Sequence, residues 1–229
     1  MNKDFSKALK VFLKTSFSIF LFVMALFFMM VYILGFMIDP QTNADKKEYH
    51  SMLGAMVFGY YFMPYMFLKF STNERKKFFR TMTVSDKYMT SVPVFVFNVL
   101  AFAYILITMG IVFKRFGTDN EFIYSDMLIY ITTGAILANS SILFLSRSLY
   151  IVVPSYILIF VIFFSQYPLK FFMTDYTFGL SIGKAAVISV SLFAAAYIIQ
   201  LIGMKYTYKK GVKIIETEPQ NIVGNIKIG

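Results

Sequence analysis

Apolar residues in this chain come in long, almost uninterrupted runs, and the charged residues are confined to the gaps between them. Six runs stand out: Thr15 to Ile38, His50 to Leu68, Val92 to Phe113, Ile123 to Leu145, Leu149 to Tyr167 and Phe178 to Met204. A helix of roughly 20 apolar residues, rising about 1.5 Å per residue, crosses a hydrocarbon core about 30 Å thick. The pattern therefore predicts an all-α membrane protein with six transmembrane helices between residues 15 and 204. The fourth and fifth runs are separated only by Ser146, Arg147 and Ser148. Because 123–167 is far too long for one span, a tight hairpin is expected there. The first run follows a basic segment, as a signal peptide would. It is longer than a secretory apolar region and lacks a small-residue cleavage pattern, so it reads as a retained span.

Two polar segments have a pattern of their own. At about 100° per residue, Lys3, Lys7, Lys10 and Lys14 fall within an arc of about 60°, while Phe5, Ala8, Leu9 and Phe12 occupy about 100° on the far side. Residues 1–14 are thus expected to form an amphipathic helix at the membrane interface, lysines toward anionic headgroups. A solvated basic tail that only sets topology is the plainer reading. The second segment, 71–90, lies between the second and third runs. Ser71-Thr72-Asn73-Glu74 fits the S-x-x-E capping box and predicts a helix start. Projected onto a helix from Glu74, Phe78, Met82 and Phe79 gather on one side, and Lys76, Arg80 and Lys77 on the other. A short two-faced helix follows, and Ser85 can cap a second one that leads into the third span around Pro93.

Charge adds orientation. The 229 residues are 58% hydrophobic, with a mean hydropathy of +0.67, yet carry a formal charge of +10. The N-terminus, the second and fourth gaps and the segment 205–229 hold 16 of the Lys and Arg residues, and the alternate gaps and span ends hold 6. By the positive-inside rule both termini are expected to be cytoplasmic and the number of spans even. The same rule accounts for the basic segments without a nucleic acid partner.

Candidate chemistry is sparse. There is no cysteine and a single histidine, His50. No catalytic motif and no intramembrane carboxylate pair is visible, so an enzyme is not expected. "GLSIGKAA", Gly179 to Ala186, has three residues between its glycines and Ala185 after the lysine, so it is not a P-loop. The spans carry neutral polar residues at Asn98, Asn139, Ser140, Ser141 and Gln200, for which interhelical hydrogen bonding is the preferred reading. Asp126 and Lys184 sit near span ends. Without buried charges, an ion-coupled pump has little to work with, although neutral sodium sites stay open.

The insert "ERKKFFRTMTVSDKYM", Glu74 to Met89, resembles the loop between the second and third spans of ABC-2 type transporter permeases. In that family an acidic residue, a polar patch and an apolar pair precede a pattern near L-P-[IV]-S-R. Met82 matches the Leu, Val84 the aliphatic position and Ser85 the Ser; Thr83 stands for the Pro, Asp86 for the Arg, and the lysine often found further on is not at Val92. The resemblance implies a coupling helix over 71–81, seated in a groove of a separate cytosolic ABC ATPase subunit. Asn73, Glu74, Arg75, Lys77, Phe78, Phe79, Arg80 and Met82 are its docking residues. It further implies a second permease chain, identical or different, and no cofactor in this chain, with ATP and magnesium in the partner. Short re-entrant helices within Gln166 to Ser181 are another implication, beside simple interfacial anchoring.

The Tyr- and Met-rich stretch "MVFGYYFMPYMF", Met56 to Phe67, suits a pliable cavity for amphipathic cargo. The short-loop, aromatic-rich, basic character of the chain is similar to permeases that export phenol-soluble modulins, which are amphipathic peptides, and to those protecting against lantibiotics or bacitracin. Tyr60, Tyr61 and Asn98 are the candidate cavity residues for such a substrate. Two other readings stay open at this point: a stand-alone immunity or sensor protein, and an ion-coupled secondary transporter.

Overall fold

In a computed structural model of the protein, the described residues are 3–38, 59–61, 63–74, 77–116, 121–145, 147, 152–154, 157 and 180–209. Every regular element among them is helical. They are α1 (Lys3–Ser16), α2 (Ile19–Ile38), a 3-10 turn (Pro64–Phe67), α3 (Leu68–Asn73), α4 (Lys77–Thr81), α5 (Ser85–Met89), α6 (Ser91–Phe116), α7 (Glu121–Leu143) and α8 (Ile182–Lys209). Most of the fifth run, the segment 166–179, His50, Arg75 and residues 210–229 lie outside the described residues.

Among the described residues, three stretches are long and apolar enough to cross a membrane: Ser85–Ile111, Tyr124–Leu143 and Ile182–Lys209. A fourth is added if α1 and the Ile19–Phe27 part of α2 count as one bent span. The bend between those two is 77°. The helix breaks at Phe17 and Ser18, where the Ser18 amide donates to the Met66 carbonyl at 2.9 Å. A bent pair suits an amphipathic α1 joined to an α2 made of 20 uncharged residues.

The long helices form a bundle whose directions follow from their contacts. Asn139 of α7 pairs with the Phe97 carbonyl of α6, and Phe113 meets Tyr124 near the other end, so α6 and α7 run antiparallel. Gln200 of α8 reaches Ser140, and Gly203 lies against the Phe144 ring, so α7 and α8 run parallel. The parallel course puts Leu145 and Ile182 at opposite ends of the bundle. A Cβ on Gly203 would sit 2.8 Å from Phe144 Cζ, so the missing side chain is what allows α8 this close.

The outward face of α8 is apolar: Val187, Val190, Ile199 and Ile202 are each more than 60% exposed. Such a surface is costly in water but neutral in lipid, where helices associate through packing and hydrogen bonds instead. The buried polar side chains provide those bonds. Tyr60 Oη donates to Asn139 Oδ1 at 2.6 Å, Asn139 Nδ2 to the Phe97 carbonyl at 3.0 Å, Asn98 Nδ2 to Gln200 Oε1 at 2.8 Å, and Gln200 Nε2 to Ser140 Oγ at 3.0 Å. Gln200 lies eight residues before Tyr208, about 12 Å along α8, so this polar belt sits roughly two turns in from the Tyr208 end of the helix.

Candidate functional site

The insert is where structure and sequence expectation differ most. The capping box does not form: the backbone is already helical from Leu68, α3 ends at Asn73, and Ser71 Oγ donates back to the Leu68 carbonyl at 2.8 Å. The expected two-faced helix falls instead on two elements, α3 and α4. The physical reason lies in the side chains of Asn73 and Glu74, which serve partners in the bundle and not the start of a helix. The later restart is as expected to within one position, since α5 begins at Ser85 with Val84 at its cap.

Glu74 turns inward to Arg147. The Arg147 Nε donates to Glu74 Oε1 at 2.7 Å, and Nη2 reaches the same oxygen. The guanidinium also donates from Nη2 to the Met89 carbonyl at 2.6 Å, and from Nη1 to the Met204 carbonyl at 2.8 Å and Thr207 Oγ1 at 2.9 Å. Both side chains are almost fully buried, at 3% exposed for Arg147 and 7% for Glu74. One planar cation thus joins the end of α3, the end of α5 and the last turns of α8. Arginine suits this role because its fork donates in several fixed directions while keeping its charge.

A second joint is centred on Tyr88 of α5. Its hydroxyl lies 2.7 Å from Ser16 Oγ and 3.1 Å from Thr15 Oγ1, and accepts from Asn73 Nδ2 at 3.3 Å. Asn73 Nδ2 also donates to the Thr15 carbonyl at 3.2 Å. The Tyr88 ring is stacked on Phe79, centroids 5.3 Å apart and planes 14° from parallel, and it touches Phe12 edge-on. Phe12 and Ala8 are fully buried against α3 and α5. The apolar stripe of α1 is therefore largely taken up by the insert, while Lys3, Lys7, Lys10 and Lys14 stay exposed. Ser85 Oγ, 3.0 Å from Tyr208 Oη, ties α5 to the end of α8. α1, the insert and the end of α8 consequently share one end of the bundle.

These contacts redistribute the expected docking residues. Asn73 and Glu74 are buried and partnered inside. Phe79 is 8% exposed and belongs to the core, with Met82 half-buried beside it. Phe78, by contrast, is 69% exposed, in edge-to-face contact with Phe79. Arg80 is also exposed, its Nε donating to the Glu74 carbonyl at 2.9 Å. Lys77 opens α4. Among the described residues, the outward surface of the insert thus carries one large aromatic side chain, on a basic helix.

The expected cavity residues are rearranged as well. Tyr60 and Asn98 are buried in the polar belt and hold helices together, the preferred reading for the neutral intramembrane residues. Tyr61 is half-buried, its hydroxyl accepting from Tyr65 Oη at 2.9 Å. Sequence reasoning missed Arg147 as more than a topology charge. A usable signal was present: one cation between two apolar runs, and one carboxylate at the edge of a basic cluster.

No family model matches this chain, and no curated protein or solved structure matches it.

Proposed function

We propose that this chain is the membrane-spanning subunit of an ATP-driven exporter, a half-size permease that docks a separate cytosolic ATPase through the outer face of its insert. The observation that carries the reading is the asymmetry of α4. Phe78 stands out on a basic helix, while the adjacent Phe79 is locked into the bundle through Tyr88. An exposed aromatic flanked in sequence by cations fits an apolar pocket with an acidic rim on a partner protein, where the aromatic supplies affinity and the charges orient the encounter. The anchored inner face lets force applied at Phe78 reach the spans.

On this reading the insert, α1 and the end of α8 face the cytoplasm of a bacterial cell; the excess of Lys and Arg on that side supports the orientation. ATP and magnesium belong to the partner subunit, and two permease chains complete the assembly. The substrate class best suited to an aromatic and Met-rich chain is an amphipathic peptide, of the modulin or antimicrobial type. Tyr60 and Asn98 then act in helix packing, not as substrate contacts.

Purification of the tagged chain from its native membrane in mild detergent should bring down an ATPase. Phe78→Asp should remove it while leaving the thermal unfolding of the chain unchanged. Recovery of the wild-type chain with no associated ATPase, or peptide protection that persists in Phe78→Asp, would mark a stand-alone membrane protein instead.

A further inference from the structure

The Glu74–Arg147 pair sits where the insert meets the bundle, and its connections exceed what packing alone requires. We propose that Arg147 is a positioning residue, a rigid clasp that makes the insert move as one body with the inner ends of α7 and α8. Three observations carry this. Arg147 lies four residues past Leu143, the last residue of α7. Its donors reach α3, α5 and α8, elements far apart in sequence, with Glu74 73 residues away. Its guanidinium is nearly sealed from solvent, so its bonds are not exchanged for water.

The geometry also explains why this must be an arginine paired with a carboxylate and not the reverse. Two of the acceptors facing the guanidinium are the Met89 and Met204 carbonyls, which can accept but not donate. A carboxylate at 147 would meet these oxygens with no proton to share. Exchange of the two charges therefore does not rebuild the clasp, whereas lysine at 147 retains part of it. What the clasp transmits rests on the docking role proposed above; the clasp itself does not.

Because the chain has no cysteine, spin labels can be placed freely. Thr72 on α3 and Lys205 on α8 are both exposed, on two of the elements that the clasp joins. The full chain carrying Thr72→Cys and Lys205→Cys, reconstituted in lipid nanodiscs, should give one narrow distance distribution by double electron–electron resonance. The neutral pair Glu74→Met with Arg147→Met leaves no buried charge behind. It should keep the unfolding temperature but lose the single narrow peak, and Arg147→Lys should restore part of the narrowing. A neutral pair that keeps the narrow peak would overturn the proposal. So would a neutral pair that fails to fold, because the clasp would then be a requirement of the fold and not a positioning device. Failure to recover an ATPase bears on the transporter reading alone and leaves this distance measurement standing.

Discussion

Two neighbouring phenylalanines and one arginine show how little local sequence determines a residue's task. Phe78 and Phe79 are identical in chemistry and adjacent on one helix, yet one is 69% exposed and the other 8%. Truncating the buried ring, Phe79→Ala, should cost about 3–5 kcal/mol through lost contacts with Tyr88 and the cavity left behind. Phe78→Ala should leave stability nearly unchanged, and parallel thermal denaturation in detergent compares them. Arg147 makes the same point through charge. Arg147→Met alone strands a buried carboxylate and should destabilise by about 3–5 kcal/mol, whereas removing both charges should recover most of that loss. Unfolding temperatures of the two singles and the double close the cycle; a loss in the double equal to the two single losses added together would mean that the charges do not interact. The helical projection had grouped Phe78, Phe79 and Met82 as one face. It could not choose between them because the side that meets the bundle depends on Tyr88 and Phe12, whose positions come from other elements.

At the scale of elements, apolar run length marked α6, α7 and α8, and capping chemistry placed the start of α5 but not that of α3. The spans over α6, α7 and α8 were legible because lipid demands about 20 apolar residues in a row, and no tertiary contact can waive that requirement. The break between α1 and α2 was legible as a change from amphipathic to uniformly apolar pattern. The S-x-x-E box at Ser71 misled because the helix already runs through it, and because Glu74 has a stronger use as the counter-ion of Arg147. Helix contact offers its own test. Gly203 faces the Phe144 ring so closely that Gly203→Leu must push α8 from α7, at roughly 1–3 kcal/mol by the usual cost of overpacking. The displaced helix should also loosen the Gln200–Ser140 bond. A lower unfolding temperature for Gly203→Leu, with Gly183→Leu unaffected on its open face, is the expected pattern.

For the molecule as a whole, the arrangement divides labour by depth. Within the bundle the helices are held by neutral amides and hydroxyls, each bond worth about 0.6 kcal/mol in lipid but specific in direction. One end is held by a buried ion pair and a tyrosine hydroxyl that gather α1, the insert and α8. That end also presents the exposed lysines of α1 and the outward aromatic of α4. Composition and run length made the membrane setting readable. The gathering of distant segments was not, since Glu74, Met89, Arg147 and Met204 carry no mutual signal until the helices are packed.

The same clasp sets a timetable for assembly. As the chain is made, Glu74 and Met89 emerge before Arg147, but Met204 and Thr207 arrive last, near the end of α8. Until then the guanidinium lacks two of its acceptors and has reason to remain at the wet boundary, because an unsatisfied cation is expensive at depth. Only a chain that has delivered its final described helix can draw Arg147 inward and seal the bundle. A fragment ending before residue 204 should therefore keep this end open to water and to membrane proteases, which makes one arginine a marker that α8 has joined the bundle.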